Sequence, residues 1–388
     1  MIPPGLLPEG LRDRLPPQAE ATAALVHSLT GSFAAHGYER VQPPLVEYEE
    51  SLGRRLLGAS ERRDLLRFTD PVSQHTLALR SDMTGQVGRI AVTRLGDAAR
   101  PLRLSYAGPV LRVRGTQLNP EREAMQVGAE LIGSDSAPAA GEVIGIAVEA
   151  LRATGLGGLS IDITLPTLVA DLAVAGWPLG KASLPEVQAL LDGKDAGGLI
   201  ALGADAYEPL IAAAGPAGAA LQRLAAFPLP DPVRERLLAV TTLVASLDGM
   251  NVTLDPTERH GFEYQTWIGF SLFGDSVAGE VGRGGAYVIM RPDGTLEPAI
   301  GFSLYVDGLV DAGLGISDPR RVLLPADTDA AIGTRLRAEG WSTVAAFDAD
   351  ARPQDFRCTH IWNGVEATAV QPKEDNAQRY RHRRPMGR

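Results

Sequence analysis

The run from Leu102 to Gly133 constrains the fold of this chain more than any other segment. It has two arms, Leu102–Val113 and Arg122–Ile132, that carry strand-forming and apolar residues. The residues between the arms favour a loop, because glycine, asparagine and proline are common in turns and rare inside strands. They include Gly115, Asn119 and Pro120. We therefore predict a long antiparallel hairpin.

Three side chains of this hairpin suit a small zwitterion. Side chains two apart in a strand share a face, so Arg112 can lie on the same surface as Gln126 and Glu130 of the returning arm. A carboxylate can hold an ammonium group, while an amide and a guanidinium orient carboxyl or carbonyl oxygens. A solvated hairpin with charges at its rim would show the same spacing, so spacing alone leaves both interpretations open.

The composition is typical of a soluble globular protein with one large domain and a smaller one. The chain has 388 residues, of which 45% are hydrophobic and 22% are charged. Its single cysteine, Cys358, excludes an internal disulfide and a cysteine-cluster metal site, and it favours a cytoplasmic location. Prolines interrupt the N-terminal segment, and no apolar run is long enough to span a bilayer, so no membrane association is predicted. A net charge of -10 makes nucleic acid an unlikely partner.

The remaining segments predict a large core followed by a small C-terminal unit. The core covers residues 1–317, with a helix over Gln18–His36 and an Ala-, Leu- and Gly-rich helical insertion over about 167–240. Residues 318–370 alternate strand and helix signals and predict a small α/β unit. The basic tail over 371–388 is predicted to be disordered, with an RNA-binding arm as the alternative.

Several motifs, taken in order, resemble those of the class II aminoacyl-tRNA synthetases, and of histidyl-tRNA synthetase in particular. The hairpin runs AGPVLRVR and REAMQVGAELIG resemble motif 2, and LALRSDMTGQVGR from Leu77 resembles the segment before it. GYERVQPPLVEY from Gly37 resembles motif 1, while GRGGAY and PAIGFSLYVDGL take the places of the glycine-rich strand and motif 3. The resemblance implies an α+β fold with a mostly antiparallel mixed sheet flanked by helices. It also implies a homodimer built through the motif 1 unit.

The resemblance further implies a set of histidine-binding residues. In histidyl-tRNA synthetases a glutamate and a threonine contact the amino acid at places that match Asp82 and Thr84, although Asp82 also fits as the cap of a helix over Met83–Leu95. The full candidate set is Asp82, Thr84, Arg112, Gln126, Glu130, Tyr264 and Tyr287. Gln265 stands where the family has an aromatic wall residue. Four glycines would allow close backbone approach beside a ligand or would form plain turns, and they are Gly279, Gly282, Gly284 and Gly285.

Three positions depart from the synthetase pattern at places where the family has an arginine. They are His260, Ala286 and Gly308, and in addition Arg114 replaces a motif 2 glutamate beside Arg112. None of the three replacements can offer phosphate the fixed charge of a guanidinium at neutral pH. From these losses we predict that the chain is not itself an enzyme. We also predict no cofactor and no metal site.

This pattern of losses resembles the regulatory subunits of ATP phosphoribosyltransferase, a synthetase-like family that lacks adenylation residues and most of the anticodon domain. The resemblance implies a homodimer within a hetero-oligomer with the short-form catalytic subunit. It also implies that the chain supports activity and histidine feedback at the first step of histidine biosynthesis. Two alternatives stay open: an active histidyl-tRNA synthetase with relocated charges, and a stand-alone synthetase-like amino-acid-binding protein.

Overall fold

The computed structural model describes residue 3 and residues 5–52, 65–115, 120–247, 249–259 and 264–370. The chain divides into two units, Met1–Ile316 and Ser317–Arg388. Asn119, His260 and the predicted tail lie outside the described residues.

The helices of the first unit are α1 (Gln18–Ala35), α2 (Glu49–Leu52), α3 (Thr84–Thr93), α4 (Ala137–Ala153), α5 (Leu168–Val174), α6 (Leu184–Asp192), α7 (Ala196–Leu202), α8 (Glu208–Ala212), α9 (Ala217–Ala225), α10 (Asp231–Ser246) and α11 (Val306–Asp311). Its strands are β1 (Glu39–Arg40), β2 (Val46–Tyr48), β3 (Arg67–Thr69), β4 (Thr76–Leu79), β5 (Leu102–Leu111), β6 (Glu123–Ile132), β7 (Ser160–Thr164), β8 (Gly215–Pro216), β9 (Asn251–Asp255), β10 (Gln265–Phe273), β11 (Gly282–Met290) and β12 (Leu296–Tyr305).

The predicted hairpin is confirmed as strands β5 and β6, which pair antiparallel from Leu102↔Ile132 to Leu111↔Glu123. The hairpin belongs to a sheet whose nine strands in the described residues run in the order β1-β5-β6-β12-β11-β10-β7-β9-β8. The successive pairings from β5 to β7 are antiparallel, whereas β1 with β5 and β7 with β9 are parallel. The fold is therefore the predicted mostly antiparallel mixed sheet flanked by helices.

The two faces of this sheet differ because side chains alternate along each strand. On β12, Ile300, Phe302 and Leu304 enter the main apolar core, which also contains buried residues of α1 and α4. Phe302 meets Phe33 of α1 edge to face, with ring centroids 5.3 Å apart. The opposite face packs against α3 and carries polar residues and glycines, which are described below.

The region predicted as a helical insertion contains α5 to α10, and α10 begins at Asp231 as a proline at its second position favours. Its buried leucines and alanines join the main core. The short strand β8 pairs with β9 at the edge of the large sheet. No helix in the described part of the chain is long and apolar enough to cross a membrane.

A separate three-stranded sheet has the order β2-β4-β3. Tyr48 and Phe68 both lie opposite Leu77, one on each side, so the three side chains form a row across this sheet. Tyr48 is 49% exposed and Phe68 is 43% exposed.

The second unit contains β13 (Arg321–Leu324), α12 (Ala330–Ala338), β14 (Ser342–Ala345), β15 (His360–Trp362) and β16 (Ala367–Ala369). Its sheet order is β14-β13-β15-β16, with β13 parallel to both neighbours. It is a small α/β unit, as predicted.

Candidate functional site

Glu130 lies within β6 and is only 1% exposed. Its carboxyl group accepts hydrogen bonds from the hydroxyls of Tyr106 at 3.0 Å and Tyr287 at 2.8 Å. Burial raises the pKa of Glu130 to about 8; the charge of Asp82 also raises it, and the two tyrosine hydrogen bonds oppose the rise. Glu130 is therefore mostly protonated at neutral pH and can release its proton when a cation binds beside it.

The raised pKa of Glu130 predicts that the protein loses stability as the pH increases. The folded chain binds this proton more tightly than the unfolded chain, so the contribution is full below the ordinary pKa of 4.5 and is lost as the pH rises through about 8. Within that window the loss approaches about 1.4 kcal/mol per pH unit. Glu130→Gln cannot titrate and should lose less stability than the wild type between about pH 5.5 and pH 8. Urea unfolding of both proteins across this range measures the difference, and equal pH slopes would contradict the prediction.

Gln126 joins the start of α3 to the sheet. Its side-chain oxygen accepts the backbone N–H of Met83 at 3.0 Å. Its side-chain nitrogen donates to Asp82 Oδ2 at 2.6 Å and to Ser303 Oγ at 2.7 Å. The other oxygen of Asp82 accepts the backbone N–H of Thr84 at 2.7 Å. Asp82 therefore binds the first residue of α3 and, at the same time, belongs to the polar group around Gln126.

Thr84 and Tyr264 complete this group. Thr84 Oγ1 lies 3.4 Å from the hydroxyl of Tyr106. The ring of Tyr264 stands nearly perpendicular to that of Tyr287, with centroids 6.1 Å apart. Thus six of the predicted residues lie in one connected group, and they are Asp82, Thr84, Gln126, Glu130, Tyr264 and Tyr287.

Arg112 lies at one end of the group rather than beside Glu130. Its guanidinium carbon is 5.5 Å from the ring centroid of Tyr305, a distance typical of a cation–π contact. Tyr305 pairs with Gln126 across the neighbouring strands. Burial raises the pKa of Tyr305 to about 12, a rise that Asp82 reinforces and Arg112 opposes. The pKa of Tyr305 therefore depends on the charges of both Asp82 and Arg112.

Three members of the group were not predicted from the sequence: Tyr106, Ser303 and Tyr305. The register places Tyr106 opposite Gly128, midway between Gln126 and Glu130 on the same face. Ser303 and Tyr305 are two apart in motif 3 and share that face for the same reason. Two sequence signals could have identified them. Tyr106 lies opposite Gly128, which is two residues from Gln126, and Ser303 and Tyr305 are two residues apart in motif 3.

A narrow cleft opens beside Glu130. The space left in it has a volume of about 10 Å³, enough for one water molecule. Arg112 is not among its lining residues. They are Thr84, Glu130, Tyr264, Gln265, Arg283, Gly284, Gly285, Tyr287, Gly301, Phe302 and Ser303.

Three glycines form a row across adjacent strands, which we call the glycine floor: Gly269 pairs with Gly285, and Gly285 pairs with Gly301. Gly285 and Gly301 also line the cleft. A Cβ atom at Gly301 would overlap the carboxyl group of Glu130, and one at Gly285 would lie 2.7 Å from the carboxamide carbon of Gln265. Gly285 therefore lies inside a strand and not in a turn, with the side chain of Gln265 close against its backbone. Polar side chains lie directly against the sheet backbone here because the floor has no side chains of its own.

Ala286 does not face this site. It is fully buried in the main core, on the opposite side of β11 from Tyr287. The interpretation of Ala286 as a lost nucleotide contact is therefore wrong, because alternation along the strand turns its side chain away. Gly308 lies in α11, where a Cβ atom would come within 3.0 Å of Val277 Cγ1.

The N-terminal arm contacts the surface between the hairpin and α11. Arg14 forms an ion pair with Asp307, whose other oxygen accepts the backbone N–H of Met125 at 2.6 Å. Arg12 is within 2.8 Å of both Glu121 and Asp311. A cavity of about 270 Å³ remains here, and the charged residues lining it are Arg12, Asp13, Arg14, Glu121, Glu123 and Asp307. Asp307, the carboxylate in the segment that resembles motif 3, is therefore bound by Arg14 of the N-terminal arm.

This sheet, with its motif 2 hairpin and the polar group around Glu130, defines a protein of the class II synthetase type. The family model for histidyl-tRNA synthetase matches residues 10–309. Among curated relatives, an ATP phosphoribosyltransferase regulatory subunit of Rhodospirillum centenum is 47% identical over 385 residues, which is 95% of this chain and 97% of the relative. One from Paramagnetospirillum magneticum is 47% identical over 356 residues, covering 90% and 92% of the two chains. The chain belongs to the family of ATP phosphoribosyltransferase regulatory subunits, as predicted.

Solved structures support the fold. An ATP phosphoribosyltransferase regulatory subunit/histidyl-tRNA synthetase from Bacillus halodurans superposes with a TM-score of 0.76 at 24% identity, covering 92% of this chain and 97% of that one. Histidyl-tRNA synthetase from Nostoc sp. PCC 7120 gives a TM-score of 0.70 at 16% identity, covering 91% and 88%. At these identities the likeness establishes the class II fold alone.

Proposed function

We propose that this chain is a non-catalytic subunit that assembles with a short-form catalytic subunit of ATP phosphoribosyltransferase and makes its activity responsive to histidine. One observation carries the proposal. The segments that resemble the amino-acid site keep a connected polar group around Glu130. In the segment that resembles motif 3, by contrast, Arg14 binds Asp307 and Gly308 stands in place of an arginine. A chain with this combination can recognise an amino acid but has lost a main means of activating it.

The names of the relatives support the same function, since each is called a regulatory subunit of this enzyme. A regulatory subunit must have a catalytic partner, and the chemistry of the first step of histidine biosynthesis would take place on that partner.

A homodimer within the complex is part of the proposal. The segment that resembles motif 1 contributes Tyr48 to the apolar row of the three-stranded sheet. Tyr48 and Phe68 in this row are exposed by 49% and 43%, which suits burial against a second copy. We expect a cytoplasmic complex, as the single cysteine favours.

The test is a rate measurement with the cognate catalytic subunit. Mixing should give a stable hetero-oligomer, a faster formation of phosphoribosyl-ATP and an altered sensitivity to histidine. We expect the coupling between histidine and the catalytic site to be on the order of 1–3 kcal/mol. An unrelated soluble protein at equal concentration is the control. Failure to co-elute, together with an unchanged rate, would favour a stand-alone amino-acid sensor instead.

A further inference from the structure

We propose that the carboxamide of Gln265 is an internal occupant of the amino-acid site, which the ligand must displace in order to bind. This inference rests on the proposed histidine-binding function and identifies the residue that controls access to the site. The polar group around Glu130 is suited to an amino acid, yet the cleft beside it has a free volume of only about 10 Å³, which is too small for one.

The carboxamide of Gln265 occupies part of the space beside the glycine floor. It lies against the paired glycines Gly269 and Gly285, where the Cβ atom of any other residue would overlap it or lie within 2.7 Å. Glu130 lies in the same way against Gly301, the next residue along the row. The glycine floor is thus covered at one end by the carboxyl group of Glu130 and at the other by the carboxamide of Gln265. The ligand and Gln265 would compete for the same floor.

An irregularity in the sheet directs Gln265 to this place. Gln265 pairs with Tyr287 and Gly269 pairs with Gly285, so β10 has two more residues than β11 between these pairs. Bulges of this kind redirect side chains. Here the side chain of Gln265 runs back over the floor.

The carboxamide is held weakly. Its nitrogen donates one hydrogen bond, 2.8 Å long, to the backbone oxygen of Gly284, and in the described part of the chain the side chain makes no other. A single hydrogen bond between neutral groups contributes little net free energy, because water replaces it on opening. Displacement of Gln265 by a ligand that binds Glu130 is therefore energetically accessible.

Displacement would also enlarge the site. A second cavity, of about 120 Å³, adjoins Gln265, and both cavities have Gln265 and Arg283 in their walls. With Gln265 moved aside, one elongated site would run from Glu130 to Arg283. The carboxyl group of Glu130 at one end matches the ammonium of an amino acid. Arg283, near the other end, forms an ion pair with Glu280, and Asp162 and Glu258 also line that cavity.

The experiment is calorimetric titration of the full-length protein with L-histidine. Gln265→Ala removes the carboxamide and should tighten binding at least about tenfold, because the ligand no longer has to displace it. Gln265→Leu keeps most of the side-chain volume and should not tighten binding. Gln354→Ala makes the same chemical change in the second unit and serves as the matched control. Gln265→Ser replaces the alanine variant if that variant melts well below the wild type.

Each outcome decides the inference. The inference is supported if Gln265→Ala or Gln265→Ser binds histidine more tightly while Gln265→Leu and Gln354→Ala do not. Weaker or unchanged binding in these variants would make Gln265 a ligand contact or a bystander, and the inference would be wrong. It would also be wrong if neither the wild type nor the variants bind histidine. The proposed partnership is judged separately, because stimulation of the catalytic subunit is measured without histidine.

Discussion

The purified protein should catalyse no histidine-dependent exchange of pyrophosphate into ATP. Adenylation in this class relies on positioned cationic groups that stabilise the charge of the transferring phosphate. Gly308 cannot supply such a group, and the neighbouring carboxylate of Asp307 is bound by Arg14 and by the backbone of Met125. We expect the rate to equal that of a no-enzyme control.

Restoring the arginine should not restore the reaction. In Gly308→Arg the new side chain would start within 3.0 Å of Val277, on a helix that the N-terminal arm already contacts through Arg14. An active histidyl-tRNA synthetase under the same conditions is the positive control. Exchange well above background in the wild type would revive the synthetase interpretation.

Replacing Glu130 by alanine should abolish detectable histidine binding. The change removes the group that we expect to hold the ligand ammonium and leaves the buried hydroxyls of Tyr106 and Tyr287 without their acceptor. Loss of one partner from a buried charged hydrogen bond costs roughly 2–5 kcal/mol. A loss of this size in binding free energy would make a weakly bound ligand undetectable. Calorimetry on the wild type and the variant measures the effect.

Glu130→Gln is the matched variant, because an amide keeps an acceptor for a tyrosine hydroxyl but cannot become anionic. Its affinity should fall between those of the wild type and Glu130→Ala. An unchanged affinity in Glu130→Ala would place histidine elsewhere, for example at a subunit interface.

Much of the site could be predicted because its residues lie in contiguous motifs. The hairpin fixed the relation of Gln126 to Glu130, since two-residue alternation in a strand leaves little freedom. The same alternation, applied to Tyr287, would have excluded Ala286 from the site. Ala286 was assigned to the site because every residue of the glycine-rich motif was expected to contact the ligand, although neighbouring residues of a strand face opposite sides of the sheet.

Other features depend on contacts that no local pattern reveals. The ion pair of Arg14 with Asp307 joins residues 293 positions apart in the chain. The direction of Gln265 follows from a bulge between Gln265 and Gly269. Gly269 could have indicated a bulge in this strand, but not which side chain it would redirect. The contact of Arg112 with Tyr305 joins the end of the hairpin to β12, and the long-range pairing of β12 with β6 cannot be read from one sequence.

The strand order also has a consequence for how the site forms during synthesis. Glu130 and Tyr287 are joined by a hydrogen bond across β12 but lie 157 positions apart in the chain, with the helices α4 to α10 between them. At translation rates of about 5–20 residues per second, Glu130 leaves the ribosome roughly 8–30 s before Tyr287. Until then it is an ordinary ionised carboxylate in water, and it takes up its proton only when β11 and β12 dock. A nascent chain that ends before β12 therefore contains both arms of the hairpin but lacks Ser303 and Tyr305 of the polar group around Glu130.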